Sequence, residues 1–484
     1  MYRGSITLEL IIAFAILSLT LASVALAEGG FSSRALLTDI DEITLADTLM
    51  KDARAAARAD FISIAATSSD ILRNTMVYRS ALTVSDRSPC IKEIAAEAAR
   101  EGDTLTAPVR FISIVADLQE IRNLGSDCAL SAAPDDSWHE VRSASEVASM
   151  THATAIDALG SAAYLGLSSP PYFGVSQGGA LVPIQNDFTL HAYPNAIDAA
   201  ALPDAHGTMH TFVFAAMNAS TSQLAVIDAT DAAHPELVAE RSLSGIDPYG
   251  ADPEAYHVRY YGEEVFVTTR YVAGYHPELH AFLFDPNNPS ALYESASSNL
   301  DTTVNDLVVR DEVLDGKRTR LLYAATTHDA KELAVYNATN PHYIPDAPAD
   351  TLDLPGSQDG KSLALVGRTL YLGRASNTGG PELYVLDDSH PLLRIPILGT
   401  GEVASKDVSA LAVSGTRLFM AATLEAISTR RFEVWDVASS TAPVRLLQHG
   451  VPGLLPLGID YDAEADALYG ARETSPLIST FAGT

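Results

Sequence analysis

Leu383-Tyr384-Val385-Leu386-Asp387, followed by Pro391, decides the fold, because its pattern of apolar strand, closing acid and nearby proline returns along the chain. Leu224-Ala225-Val226-Ile227-Asp228 precedes Pro235, and Ala281-Phe282-Leu283-Phe284-Asp285 precedes Pro286 and Pro289. Leu333-Ala334-Val335-Tyr336-Asn337 precedes Pro341, and Phe432-Glu433-Val434-Trp435-Asp436 precedes Pro443. Subtracting positions from Asp228 to Asp285, Asn337, Asp387 and Asp436 gives steps of 57, 52, 50 and 49 residues. Short apolar runs bounded by turn residues read as strands, and a period near 50 fits one four-stranded propeller blade. The closing acid has a turn-building role: its side chain accepts backbone N–H groups of the turn, and the proline presets φ.

A pair of strands across a turn precedes each such unit, as in Ala410–Met420 around Ser414-Gly415 and Leu363–Leu372 around Gly367-Arg368. Units fall at 151–195, 196–248, 252–300, 303–353, 358–400, 405–449 and 455–484. The last lacks one strand, which His139-Glu140-Val141-Arg142 can supply, hiding sheet edges that would otherwise be exposed. These units resemble the LVIVD-type repeats of bacterial and archaeal surface proteins, and the resemblance runs from about residue 140 to 484. It implies a mainly β fold, a seven-bladed β-propeller over 138–484.

Ahead of the repeats, Ser5 to Ala27 is apolar over about the 20 residues a helix needs to cross a bilayer core of ~30 Å. Arg3 on its leading side places the N-terminus in the cytoplasm and the bulk of the chain outside. Glu9 is costly in that setting and calls for a partner. Gly4-Ser5-Ile6-Thr7-Leu8-Glu9 resembles the type IV prepilin signature. That resemblance covers residues 1–30 and implies cleavage after Gly4 by a prepilin peptidase, N-methylation of Ser5, and pairing of Glu9 with the amine of a neighbouring pilin-like subunit. Serine stands where the family more usually has phenylalanine.

The expected division is a leader at 1–4, a transmembrane assembly and stem helix at 5–60, and a small helical head at 61–137. Phe31–Ala59 carries helical periodicity, and further helical runs are expected at Cys90–Arg100 and Thr106–Asn123. Cys90 and Cys128 lie in no CxxC pair, so a single disulfide is expected, worth roughly 3 to 4 kcal/mol for so long a loop.

Lysine and arginine number 31 against 61 aspartates and glutamates, a net charge of −30 that excludes a nucleic-acid partner. No P-loop, GxSxG, HExxH, dinucleotide or EF-hand motif stands in usable context. Residues expected at the starts of the innermost strands, facing the channel, are His152, Asp198, His257, Asp306, Lys361 and Asp407. They leave room for a polar ligand or a channel cation such as calcium, with no other cofactor. Taken together, the expectation is a non-enzymatic pilin-like minor or tip subunit, moving from the inner membrane to the cell surface and presenting the propeller to an extracellular protein or glycan. The alternative is a membrane-anchored surface propeller not assembled in filaments, a metal-dependent hydrolase or lactonase.

Overall fold

The computed structural model describes residues 40–482 apart from 63, 74–75, 89, 102–107, 126–138, 145–150, 247–253, 273–275, 377–379, 393, 404–405, 424–428 and 463–464. Two compact units are present: residues up to 56 with 65–84 and 94–113 form one, and 57–64, 85–93 and everything from 114 form the other.

The first unit is built on helix α1 (Ile40–Ala59), whose Asp41 and Glu42 in the first turn and Arg58 in the last complement the helix dipole. Leu45 and Ala46 are buried against Tyr78 and Ala98. Glu42 is buried as well, and its Oε1 accepts the Arg100 N–H at 2.9 Å. Strands β1 (Thr67–Arg73), β2 (Met76–Ser88), β3 (Ile91–Arg100) and β4 (Val109–Ala116) make a sheet in chain order.

This corrects the helical head expected at 61–137. Ile91-Lys-Glu-Ile-Ala-Ala-Glu-Ala-Ala-Arg100 is rich in good helix formers, and Ile91, Ile94, Ala95 and Ala98 satisfy a helical stripe. Ile94, Ala96 and Ala98 satisfy a strand face equally, and all three are fully buried in an interior strand. Tertiary pairing decided between two patterns that the residues fit alike. Within the other expected run, β4 is followed by one short helix, α2 (Leu118–Asn123), capped by Asp117, whose Oδ1 accepts the N–H groups of Gln119 and Glu120.

The second unit holds seven four-stranded sheets, the blades of a β-propeller. Their innermost strands are Ala153–Leu159, Pro194–Pro203, Ala255–Tyr261, Val304–Leu314, Gly360–Val366, Asp407–Ser414 and Leu454–Asp462. Each packs on the next, and the seventh returns to the first, so the ring closes. In the last blade the fourth place is taken by β5 (His139–Ala144), paired antiparallel with Ile478–Ala482.

Apolar layers between blades form the core, with Phe214 of blade 2 stacked on Tyr260 of blade 3 at 5.2 Å and Phe419 of blade 6 on Tyr461 of blade 7 at 4.9 Å. The closing residue of each repeat does what a turn residue should: Asp228, Asp285, Asn337, Asp387 and Asp436 each accept the N–H two residues on, at 2.9 to 3.0 Å. A second repeated device precedes the same strand. Gln223, Glu278, Glu332 and Glu382 are buried and accept the N–H groups of Leu243, Leu300, Leu354 and Val403 in their own blades.

Candidate functional site

Six innermost strands carry one extra residue against their partners, at Thr154, Asn195, Tyr256, Asn305, Lys361 and Ser409. Such bulges re-aim the side chains that follow. Three residues past them stand Asp157, Asp198, Arg259, Val308, Ala364 and Ala412, and blade 7 contributes Asp460. This tier is charged on blades 7, 1, 2 and 3 and apolar on blades 4, 5 and 6. All of these except Asp198 line a cavity of about 230 Å³, together with His257 and Asp306.

The carboxylates also join neighbouring blades. Asp157 Oδ2 accepts the Ala199 N–H at 2.7 Å, Asp198 Oδ2 that of Tyr260 at 2.5 Å, Asp306 Oδ2 that of Leu363 at 2.7 Å, and Asp460 Oδ2 that of Ala158 at 2.8 Å. Charge-assisted bonds of this kind are the strong ones, and they hold the tier in place. Arg259 Nη1 donates to Asp198 Oδ1 at 3.0 Å.

Asp157 and Asp460 hydrogen-bond each other across the seam between blades 1 and 7. Burial pushes the Asp460 carboxyl up to about 6, against the pull of the Ala158 N–H and Arg259. Two carboxyl groups in such contact repel each other when both are ionised, and a shared proton relieves that repulsion. Burial raises Asp198 also, with Arg259 and the Tyr260 N–H acting the other way. His257 Nε2 lies 3.2 Å from Asp306 Oδ1, while its buried Nδ1 has no hydrogen-bond partner among the described residues.

Of the residues expected from sequence, His257 and Asp306 line the cavity and Asp198 holds Arg259. His152 is bound to Ser168 at 3.1 Å, Asp407 accepts the Ser376 N–H at 2.7 Å and Lys361 pairs with Asp359 at 3.1 Å, none of them in the cavity wall. Asp157, Arg259 and Asp460 were missed, because the cavity sits deeper than the strand starts. Their signal was a charged residue inside an otherwise apolar inner strand. Cys90 is buried and disulfide-bonded; Cys128, the only other cysteine of the chain, lies outside the described residues. Gly4, Ser5 and Glu9 lie outside them too. Among the described residues no group of three or more His, Cys, Asp or Glu is placed to hold a metal ion.

No protein-family model and no curated protein matches the chain. Among solved structures it is similar to a candidate 6-phosphogluconolactonase from Bacteroides uniformis, at 14% identity and a TM-score of 0.45 over 64% of this chain and 88% of that one. A second candidate 6-phosphogluconolactonase, from Bacteroides fragilis, matches at 14% identity and a TM-score of 0.46 over 69% and 90%. Sqt1 from Chaetomium thermophilum matches at 12% and 0.38 over 72% and 90%. The expectation of a non-enzymatic, pilin-like filament subunit with an N-methylated transmembrane helix is corrected on two findings. The solved structures named above include lactonase-type propellers, and no described helix is long and apolar enough to cross a membrane. At this identity and TM-score the likeness says nothing of chemistry.

Proposed function

We propose that this chain, an LVIVD-type propeller placed outside the cytoplasm, is a hydrolase of small carboxylic esters or lactones, with its reaction in the central cavity. The observation that carries the reading is the hydrogen bond between two half-buried carboxyl groups, Asp157 and Asp460, in that cavity's wall. A carboxyl pair sharing one proton offers a base and an acid at one place. The ionised member takes a proton from water as the water oxygen adds to the acyl carbon. The protonated member gives its proton to the carbonyl oxygen; the tetrahedral species then expels the alcohol, which leaves with the proton taken from water, while the other member takes back the proton of one hydroxyl as the C=O re-forms. Water and ester become acid and alcohol, with the pair restored.

Arg259 lies in the same tier and stabilises negative charge developing on the carbonyl oxygen. His257, held by Asp306, stands in the same wall. Val308, Ala364 and Ala412 form an apolar wall opposite, which suits the carbon skeleton of the substrate. The disulfide at Cys90 supports the placement outside the cytoplasm, where such bonds persist. Protease access to the propeller on intact cells tests that placement, and full protection would refute it.

The reaction is tested on the full chain with δ-valerolactone and p-nitrophenyl acetate. Asp157→Asn and Asp460→Asn each keep the shape of the pair and are expected to lower kcat/KM about 100-fold or more. In the unaltered chain kcat falls as pH drops through about 6, where Asp460 takes up its proton and the pair loses its base. Turnover unchanged in both variants, or absent from the unaltered chain, would leave these carboxylates as joints between blades only.

A further inference from the structure

The cavity has a floor that the propeller does not supply. Phe61, Ile62, Lys92, Glu120 and Leu124, all from the chain before the first blade but inside the second compact unit, complete its lining. They gather at the hairpin turns that follow the innermost strands. Asp86, partner of Lys92, lies against Gly367 so closely that a Cβ there would stand 2.3 Å from its Oδ2. Helix α2 is held at the equivalent turn of blade 3, where Gly262 N–H donates to Asn123 O at 2.9 Å.

Among the described residues, two of these floor residues leave hydrogen-bonding capacity unspent. The Lys92 side chain is 4% exposed, its Nζ lies 2.7 Å from Asp86 Oδ1, and the Phe61 ring centroid is 5.4 Å away. An ammonium has three donors, and among the described residues Asp86 is its one oxygen partner. Glu120 accepts Tyr261 Oη at 2.7 Å and Asn123 Nδ2 at 3.3 Å, both on Oε2. Oε1 receives no hydrogen bond from a described residue. Asp86 balances the charge of Lys92, and burial with Asp311 nearby keeps Glu120 largely neutral up to about 7. A floor with donors and acceptors but little net charge, beside Phe61, Ile62 and Leu124, favours hydroxyl groups on a carbon ring over an anion or a cation.

We propose that the substrate is a polyhydroxylated lactone whose hydroxyl groups, remote from the acyl carbon, bind Lys92 and Glu120. This inference rests on the hydrolase reading and names the substrate class of that same cavity. Lys92 and Glu120 are binding residues, so their loss acts on KM. On the full chain, Lys92→Met is expected to raise KM for glucono-δ-lactone about tenfold or more and to leave kcat and the KM for δ-valerolactone within twofold. Glu120→Gln, nearly isosteric and safe for folding, should shift the same KM in the same direction by less. Glucitol, which cannot react, should raise the unfolding temperature of the unaltered chain but not of Lys92→Met.

Equal effects of Lys92→Met on both lactones, or none on either, together with no stabilisation by glucitol, would overturn the inference. Should neither lactone be hydrolysed, the hydrolase reading fails by itself. Stabilisation by glucitol that Lys92→Met abolishes would then still support the floor as a polyol subsite.

Discussion

Glu120 shows at the scale of one residue how burial ties the floor to pH. Removal from water raises its carboxyl to about 7 in the folded chain, against an ordinary 4.5, with Tyr261 and Asn123 pulling down and Asp311 and Asp117 pushing up. Between those two values the folded state holds a proton that the unfolded state has released, so stability falls as pH rises. The difference amounts to roughly 3 kcal/mol at 1.36 kcal/mol per pH unit. Glu120→Gln is therefore expected to stabilise the chain at pH 8 and not at pH 4, read from denaturant midpoints at both values. A midpoint gain of equal size at the two pH values would show that the carboxyl does not titrate in this window. Asp460, raised for the same reason, adds in the same sense at a lower range.

Within the blades, the third strand is prepared by the residue before it. Glu332 accepts the Leu354 N–H at 3.1 Å and meets Arg374 of the next blade at 2.9 Å, both side chains fully buried. Arg374 also donates to Pro355 O and Gln358 O and lies over the Tyr384 ring, so its position is held by several partners. Removing the charge of one partner of a buried pair strands the other, which costs about 3 to 5 kcal/mol. Glu332→Gln keeps an acceptor for Leu354 yet leaves Arg374 without its counter-charge, and its denaturant midpoint is expected to fall accordingly. An unchanged midpoint would mean that the carbonyls around Arg374 suffice. The strand pattern itself was legible from Leu333-Ala-Val-Tyr-Asn337, because alternation and a turn-building Asn are local properties. The Glu332–Arg374 pair was not legible, since its members stand 42 positions apart and meet only in the fold.

Closure governs the whole molecule. β5 joins the last blade beside Ile478–Ala482, so the ring is sealed by chain from before its first repeat. Without it that strand becomes an open edge, a template for pairing with other chains. A chain beginning at His139 is expected to unfold cooperatively and remain monomeric, whereas one beginning at residue 145 should unfold at lower temperature and aggregate, as read by calorimetry and size-exclusion chromatography. Identical behaviour of the two would show that the seal contributes nothing.

Repetition is a property of the sequence by itself, and it determined the seven blades, the turn acids and the short last unit with a spare strand upstream. Each of these depends on residues a few positions apart, where propensity and turn chemistry act. The tertiary structure alone decided that Ile91–Arg100 is a strand, because a helix stripe and a strand face coincide in it and only neighbouring strands break the tie. It alone placed Asp157 of the first blade against Asp460 of the last, and Lys92 and Glu120 beneath them. Closing a ring brings the two ends of the repeat region into contact, and no local rule of sequence carries that information.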